Sequence, residues 1–442
     1  MFWISVVFIM LRASSLSRMM APRTRVSPVL YAVALLTTSQ ARSEQEGKKC
    51  PSYGCPLYPT DVHYNTDSVK AALNQFREVA REKVNETLAA TLDTSGRSDA
   101  ATFTLIGYKG GQLTEQINQD RSLVVSPYFI DDKHEGDRIL LGVFDGHAPL
   151  GELVSEYTAT ELPKLLASKL RAGFEEGGDE VSVTTQALIE TFIELDESAP
   201  ADESGGCTAT VVLRQGRHVF FANAGDSRSF LVTYRPSTQT TKVIYITRED
   251  KPDLPDEKER VEKMGGQVYI PIRGTSRVVY HDPNTGAPTG LAMSRSIGDW
   301  AAGKLGVIPN PLVQVFDLEK VVRNELTREG DTEIFVVDDA GEIFSESDDE
   351  ESIDDNDDVH IFAVSATDGM MDFLDEYEIA RILAHSLYDE GGPHPVSACE
   401  RLIFAAANGW QQSKQGRYRD DIAIAVSKLR APPAQEAVAA SE

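Results

Sequence analysis

The chain holds 442 residues, 41% of them apolar and 25% charged, which is enough apolar material for one large folded domain or two ordinary ones. With 43 basic against 69 acidic residues its formal net charge is -26, so it offers no basic face to nucleic acid or to an anionic membrane. Four cysteines are too few for a disulfide scaffold.

Residues 1–43 read as a targeting leader. Two arginines within Met20–Arg25, an apolar run at Val29–Leu36 and the small residues of Ser39-Gln40-Ala41 predict a secretory signal peptide. A leader with arginines and no acids also fits import into an organelle; the cytoplasm or nucleus is the alternative location. A second apolar run occupies the first eleven residues, and neither run is long enough to span a bilayer, so no stable membrane span is expected in the mature chain.

Residues 44–98 form an N-terminal extension. Cys50 and Cys55 in CPSYGCP pair in an oxidising compartment and stay free thiols elsewhere, and Asn85-Glu86-Thr87 is a glycosylation sequon that matters only on the secretory route. Val69, Leu73, Phe76, Val84, Leu88 and Leu92 recur at three- and four-residue steps, which predicts an amphipathic helix over Val69–Leu92. The Ser/Gly break at Thr94–Ala100 marks the boundary of the main domain, residues 99–430, and residues 431–442 are expected to be a disordered tail.

Within the main domain, strands are predicted at Phe103–Tyr108, Ile139–Phe144, Ala209–Leu213, Val219–Ala222, Val243–Thr247, Glu333–Val337, Ile361–Ser365 and Ile422–Val426. Helices are predicted at Leu150–Leu170, Thr184–Leu195, Asp256–Met264, Glu376–Leu387 and Val396–Asn408, with Gly265-Gly266 as a stop and Gly216 as a hairpin turn. Adjacent hairpins with helices grouped between them favour an α+β layout of antiparallel sheets covered by helices. The segment Asp338–Asp358 carries twelve acids and no Lys or Arg, so it reads as a solvated loop insertion. Cys207 and Cys399, among apolar neighbours, read as small core residues.

The chemistry is carried by aspartates beside glycines or at strand ends: Asp120, Asp145, Asp226, Asp299, Asp368 and Asp420. Each alone is an ordinary turn residue. Together they suggest a carboxylate cage, because unpaired acids converge in a fold only when cations neutralise them. In Asp145-Gly146-His147 an acid, a residue without Cβ and an imidazole follow a buried apolar run, which suits a hard metal ion.

The order NQD, VFDGH, SGGCTATVVL, ANAGDSR, EDKPDLPDEKERVEKMGGQV, GLAMSRSIGD, ATDGMMDFL and RDDIAIAV resembles the motif series of the metal-dependent serine/threonine protein phosphatases of the 2C type, over residues 100 to 430. The resemblance implies a four-layer sandwich of two central antiparallel β-sheets flanked by α-helices, with two Mn2+ or Mg2+ ions at one edge. It implies that Asp145 bridges both ions, that Asp368 and Asp420 complete the first, that the Gly146 carbonyl binds the second, and that Gln119 and Asp120 act through metal-bound waters. Asp226 and Asp372 match positions that hold a third ion in some relatives, and Asp299 is expected to be structural. The implied reaction is hydrolysis of phosphoserine or phosphothreonine in a phosphoprotein substrate by a metal-activated water, without a covalent intermediate, with His147 protonating the leaving oxygen. A monomer is expected.

Departures bear on substrate handling. Glu115 stands where many relatives have a phosphate-gripping arginine, leaving Lys109 or Arg121 to substitute; Asp250 replaces a histidine before Lys-Pro, Ala148-Pro149 replaces a glycine, and a hairpin at His281–Thr289 is an insertion. The alternative is a catalytically weak or inactive phosphatase fold acting as a regulatory binding module. A third reading is a calcium-binding protein that uses the acidic segment.

Overall fold

The computed structural model describes residues 99–111, 116–130, 138–201, 203–283, 285–323, 359–389 and 392–429, with strand pieces at 56–57, 60–61, 335–337 and 343–345. The leader, the helix expected at Val69–Leu92, Cys50, Cys55, Asn85, Glu115 and the tail lie outside the described residues.

The domain opens with strands β1 (Ala100–Leu105), β2 (Asp120–Val125) and β3 (Arg138–His147). β3 runs three residues past the apolar stretch that predicts it, because Gly146 and His147 pair with Cys207 and Gly206 and so keep the polar end extended. Two long helices follow, α1 (Gly151–Glu175) and α2 (Glu180–Ser198), the second capped by Asp179, which accepts the Ser182 N–H at 3.0 Å. Both exceed their expected lengths: α1 runs on through Arg171–Glu175 and α2 begins at Glu180, with Phe174 and Val181 packed against the core.

Strands β4 (Ala209–Gln215) and β5 (His218–Ala224) form the hairpin expected at Gly216, whose φ of 57° is the left-handed value such a turn requires. Then come β6 (Arg228–Arg235), β7 (Thr240–Ile246) and α3 (Pro255–Lys263). A small antiparallel sheet of β8 (Gln267–Tyr269), β9 (Arg277–His281) and β10 (Pro288–Leu291) packs with α3 around Val261, Val278, Tyr280 and Leu291. The chain closes with β11 (Leu312–Asp317), β12 (His360–Ala366), α4 (Glu376–Tyr388), α5 (Pro395–Lys414) and β13 (Ile422–Lys428).

One sheet runs 56–57, β2, β3, β4, β5, β11; the other runs 343–345, 335–337, β7, β6, β12, β13, β1, 60–61. Their facing sides bury Ile139, Leu141, Val143, Val212 and Phe221 against Leu231, Ala363, Ala423 and Ala425. The alternate residues of the same strands face outward: Leu140 and Phe144 meet Leu162, Leu166 and Phe192 of α1 and α2, while Phe362, Val364, Ile422 and Ile424 meet Leu383, Leu402 and Ile403 of α4 and α5. Strands covered on both faces read as continuous apolar runs, and each fully buried Leu or Phe contributes about 1.5–3 kcal/mol. The result is the expected four-layer α+β sandwich.

β2, β6 and β11 escape the sequence reading: β2 starts Asp-Arg-Ser, β6 begins and ends with Arg, and β11 alternates exposed and half-buried residues at a sheet edge. Inside the segment read as an acidic loop, Ile343–Ser345 pairs antiparallel with Phe335–Val337, extending the second sheet. Among the described residues no helix is long and apolar enough to cross a membrane. Cys207 and Cys399 are buried free thiols, as expected of small core residues.

Candidate metal centre

The two sheets bring their polar strand ends to one edge. The β2–β3 register sets Asp120 directly opposite Asp145. Asp368 opens the short helix that follows β12, and Asp420 stands two residues before β13, the neighbour of β12. Two close backbone approaches make this convergence possible. A Cβ on Gly146 would lie 2.5 Å from the Gln119 carbonyl oxygen, and one on Gly369 would lie 1.9 Å from that of Asp421. Any larger residue at either position would push the strand ends apart.

The carboxylates repel one another in a dry setting. Burial raises the pKa of Asp145 well above the usual carboxylate range, and the charges of Asp120 and Asp420 add to it. Asp368 is raised in the same way by burial, then by Asp145, Asp226 and Asp420. Asp120 is raised by burial and by Asp421, although Thr367 Oγ1 donates to its Oδ2 at 2.8 Å. Among the described residues, Oδ1 of Asp120 and Oδ1 of Asp226 are buried without a hydrogen-bond partner. Burial likewise raises Asp372, whose field includes Lys251, Asp420 and Asp226.

Two ammonium groups partly balance the acids. Lys109 Nζ lies 3.0 Å from Asp420 Oδ1 and 3.2 Å from Asp421 Oδ2, and Lys251 Nζ lies 2.7 Å from Asp226 Oδ2. Tyr418 donates to Asp420 Oδ2 at 2.9 Å. Among the described residues no three His, Cys, Asp or Glu side chains are already drawn into a closed ligand set. The donor set nonetheless fits a hard divalent ion: all-oxygen and anionic, with orphaned oxygens that need a cation.

His147 stands at the end of β3. Burial disfavours its charged form, but the Asp299 carboxylate, 2.6 Å from Nε2, outweighs burial and raises its pKa. The Gln119 side chain is engaged at the start of α1: its amide nitrogen donates to the Ala148 carbonyl at 2.8 Å and to Glu152 at 3.0 Å. Arg121 is engaged by Glu156 at 2.6 Å. Asp250, in the place of a histidine, is buried and accepts the Gly225 N–H at 3.0 Å, bracing the turn that carries Asp226.

Sequence reasoning missed Asp421 and Lys251. Asp421 accepts the N–H groups of Gly107 at 2.5 Å and Gln119 at 3.1 Å, tying β13 to the segment before β2. Its signal is the doubled acid in RDDIAIAV, where Asp420 meets side-chain donors, Lys109 and Tyr418, and Asp421 is spent on the Gly107 and Gln119 backbone.

The model of the family described as "Protein phosphatase 2C" matches residues 115–411 of this chain. The chain belongs to that family. Protein phosphatases 2C are serine/threonine phosphatases that depend on Mg2+ or Mn2+. Among similar proteins, an Arabidopsis thaliana relative named "Probable protein phosphatase 2C 41" is 26% identical over 366 residues, covering 79% of this chain and 89% of its own. A rice relative, "Probable protein phosphatase 2C 64", is 29% identical over 336 residues, covering 74% of this chain and 65% of its own. The crystal structure of a serine-threonine phosphatase 2C from Toxoplasma gondii superposes with a TM-score of 0.52 at 18% identity, covering 75% of this chain and 94% of that one, which establishes the shared fold.

Proposed function

We propose that this protein phosphatase 2C hydrolyses phosphoserine and phosphothreonine in phosphoproteins with two Mn2+ or Mg2+ ions held by its aspartate cage. The observation that carries the reading is the meeting of buried Asp120 and half-buried Asp145 from one sheet with half-buried Asp368 and Asp420 from the other, in a setting where Asp120, Asp145 and Asp368 are all held above the usual carboxylate range by burial and by neighbouring acids. Asp145 is the carboxylate both ions would share; Asp368 and Asp420 would complete one, and the Gly146 carbonyl would serve the other. Gln119 and Asp120 would reach them through waters, and Asp226 with Asp372 would serve a third. Such ions, when bound, lower the pKa of a water and neutralise phosphoryl oxygens.

The chain's own part is proton delivery and placement. Nε2 of His147 is committed to Asp299, and Nδ1, close to the Asp145 backbone, makes no well-formed hydrogen bond among the described residues. His147 therefore donates from Nδ1 to the departing serine or threonine oxygen, while Asp299 fixes the ring. The test is hydrolysis of a phosphothreonine peptide in EDTA and then in Mn2+ or Mg2+, for the wild type and Asp145→Ala. Activity only with metal, lost in Asp145→Ala together with metal binding by calorimetry, is expected. A folded wild type that binds metal yet leaves the peptide intact would replace this reading with that of a binding module.

A further inference from the structure

Lys109 occupies an unusual place for a lysine. It stands in a loop, Gly107–Gly111, whose amide groups are held: the Gly107 N–H goes to Asp421, and the Lys109 N–H goes to Gln116 Oε1 at 2.7 Å. The loop thus delivers the ammonium to the mouth of the cage, between Asp420 Oδ1 at 3.0 Å and Asp421 Oδ2 at 3.2 Å. Its two carboxylates are unlike each other. Asp421 accepts the backbone N–H groups of Gly107 and Gln119, one on each oxygen, so its carboxylate is spent on holding the loop and the strand end together. Asp420 takes the Tyr418 hydroxyl on Oδ2 and a single backbone donor, the Asp421 N–H at 3.0 Å, on Oδ1, so the ammonium of Lys109 occupies the remaining acceptor position of Oδ1 that a cation could take.

We infer that Lys109 is a tethered counter-cation: it holds Asp420 in the ion-free protein and must give up that oxygen when a divalent ion enters, so it tunes metal affinity downward. This rests on the reading of the cage as a metal site. At Asp420 one cation replaces another, with a net gain of one positive charge, and the ammonium keeps Asp421 as its remaining partner. The loop backbone is pinned, so it is the long side chain of Lys109 that would swing aside; Gly110 and Gly111 follow it with φ of 92° and 75°, and among the described residues a Cβ on Gly110 would meet nothing within 4 Å.

A purely structural lysine and a competing one differ in sign. Losing a structural ion pair weakens the fold and the site together. Losing a competitor weakens the ion-free fold but strengthens metal binding, since the ion no longer displaces or faces a positive charge. The experiment measures Mn2+ and Mg2+ affinity of the full chain by titration calorimetry, and thermal midpoints in EDTA, for the wild type, Lys109→Met, Lys109→Arg and Lys164→Met. Exposed Lys164 pairs with Glu161 on α1 and controls for overall charge.

The expected result is metal binding roughly tenfold tighter in Lys109→Met with a lower midpoint in EDTA, Lys109→Arg within about threefold of the wild type, and Lys164→Met unchanged. Equal or weaker metal binding in a folded Lys109→Met overturns the inference while leaving the metal site standing. If Lys109→Met does not fold, Lys109→Gln takes its place with the same criterion. A wild type that binds neither ion takes down the metal reading itself, and this inference with it.

Discussion

Nε2 of His147 and Oδ2 of Asp299 lie 2.6 Å apart across 152 residues of chain. The carboxylate is buried, takes a second hydrogen bond from Ser296 Oγ at 2.7 Å, and sits where a Cβ on Gly206 would strike it at 2.5 Å. The imidazole is therefore clamped from behind.

From this pair follows a selective defect. Asp299→Asn keeps the size of the side chain and its tolerance of the left-handed φ of 51° at this position, but removes the charge. Turnover of a phosphothreonine peptide should fall about 10- to 100-fold, and that of p-nitrophenyl phosphate, whose leaving oxygen needs no proton, by less than about threefold. Steady-state kinetics on both substrates check this; equal losses would make Asp299 a structural residue only.

The crowding of Asp120, Asp145 and Asp368 predicts that metal stabilises the fold. At 100 times the dissociation constant a bound ion adds about 2.7 kcal/mol, a rise of several degrees in the thermal midpoint. Asp145→Asn should raise the midpoint in EDTA, because one repelling charge is gone, and should abolish the rise with Mn2+. Scanning calorimetry with and without EDTA reads both.

Glu257 carries a pH dependence of known sign. Burial works to raise its pKa, but hydrogen bonds from Arg260, Arg295 and Ser294 hold it at about 2, below its ordinary 4.5. The stability it contributes is complete above pH 4.5 and is lost as the pH falls toward 2. Glu257→Gln should thus lose ~3 kcal/mol at neutral pH, and the gap to the wild type should close on acidification. Urea unfolding at a series of pH values measures it; a gap that does not narrow would show that charge is not what the network stores.

Ala148 and Leu150 both adopt positive φ, 58° and 67°, in the turn between His147 and α1. A left-handed non-glycine residue is strained by about 1–2 kcal/mol, part of which glycine returns through its freer unfolded chain. Ala148→Gly should stabilise the fold by ~0.5–1 kcal/mol in urea unfolding. A destabilised variant would mean that the turn is held by more than its φ.

The sandwich was largely legible because β3, β12 and β13 are apolar on both faces and stand out as unbroken runs. The acids of the candidate site were legible because each sits in a short local pattern: glycine beside it, strand before or after it. What the pattern does not carry is who meets whom. Lys109 looks like a loop lysine until β13 brings Asp420 and Asp421 to it, and Lys251 looks like a residue in a Lys-Pro turn until Asp226 arrives at 2.7 Å. Asp299 was assigned a structural part without its partner, since the contact with His147 spans 152 residues and leaves no local trace. Edge strands were lost for another reason: half-exposed residues dilute the alternation that identifies them.

The division of the acids between the sheets has a consequence in time. Asp120 and Asp145 sit on a sheet built largely from the first half of the domain, whereas Asp368 and Asp420 belong to strands near its end, and β1 finds its partner β13 only when residues 422–428 exist. A chain synthesised only as far as β11 carries two of the four carboxylates and lacks the strands that bring the other two to them. All four acids can meet only once residues 420–428 have been made, so the order of synthesis sets when the candidate site is assembled.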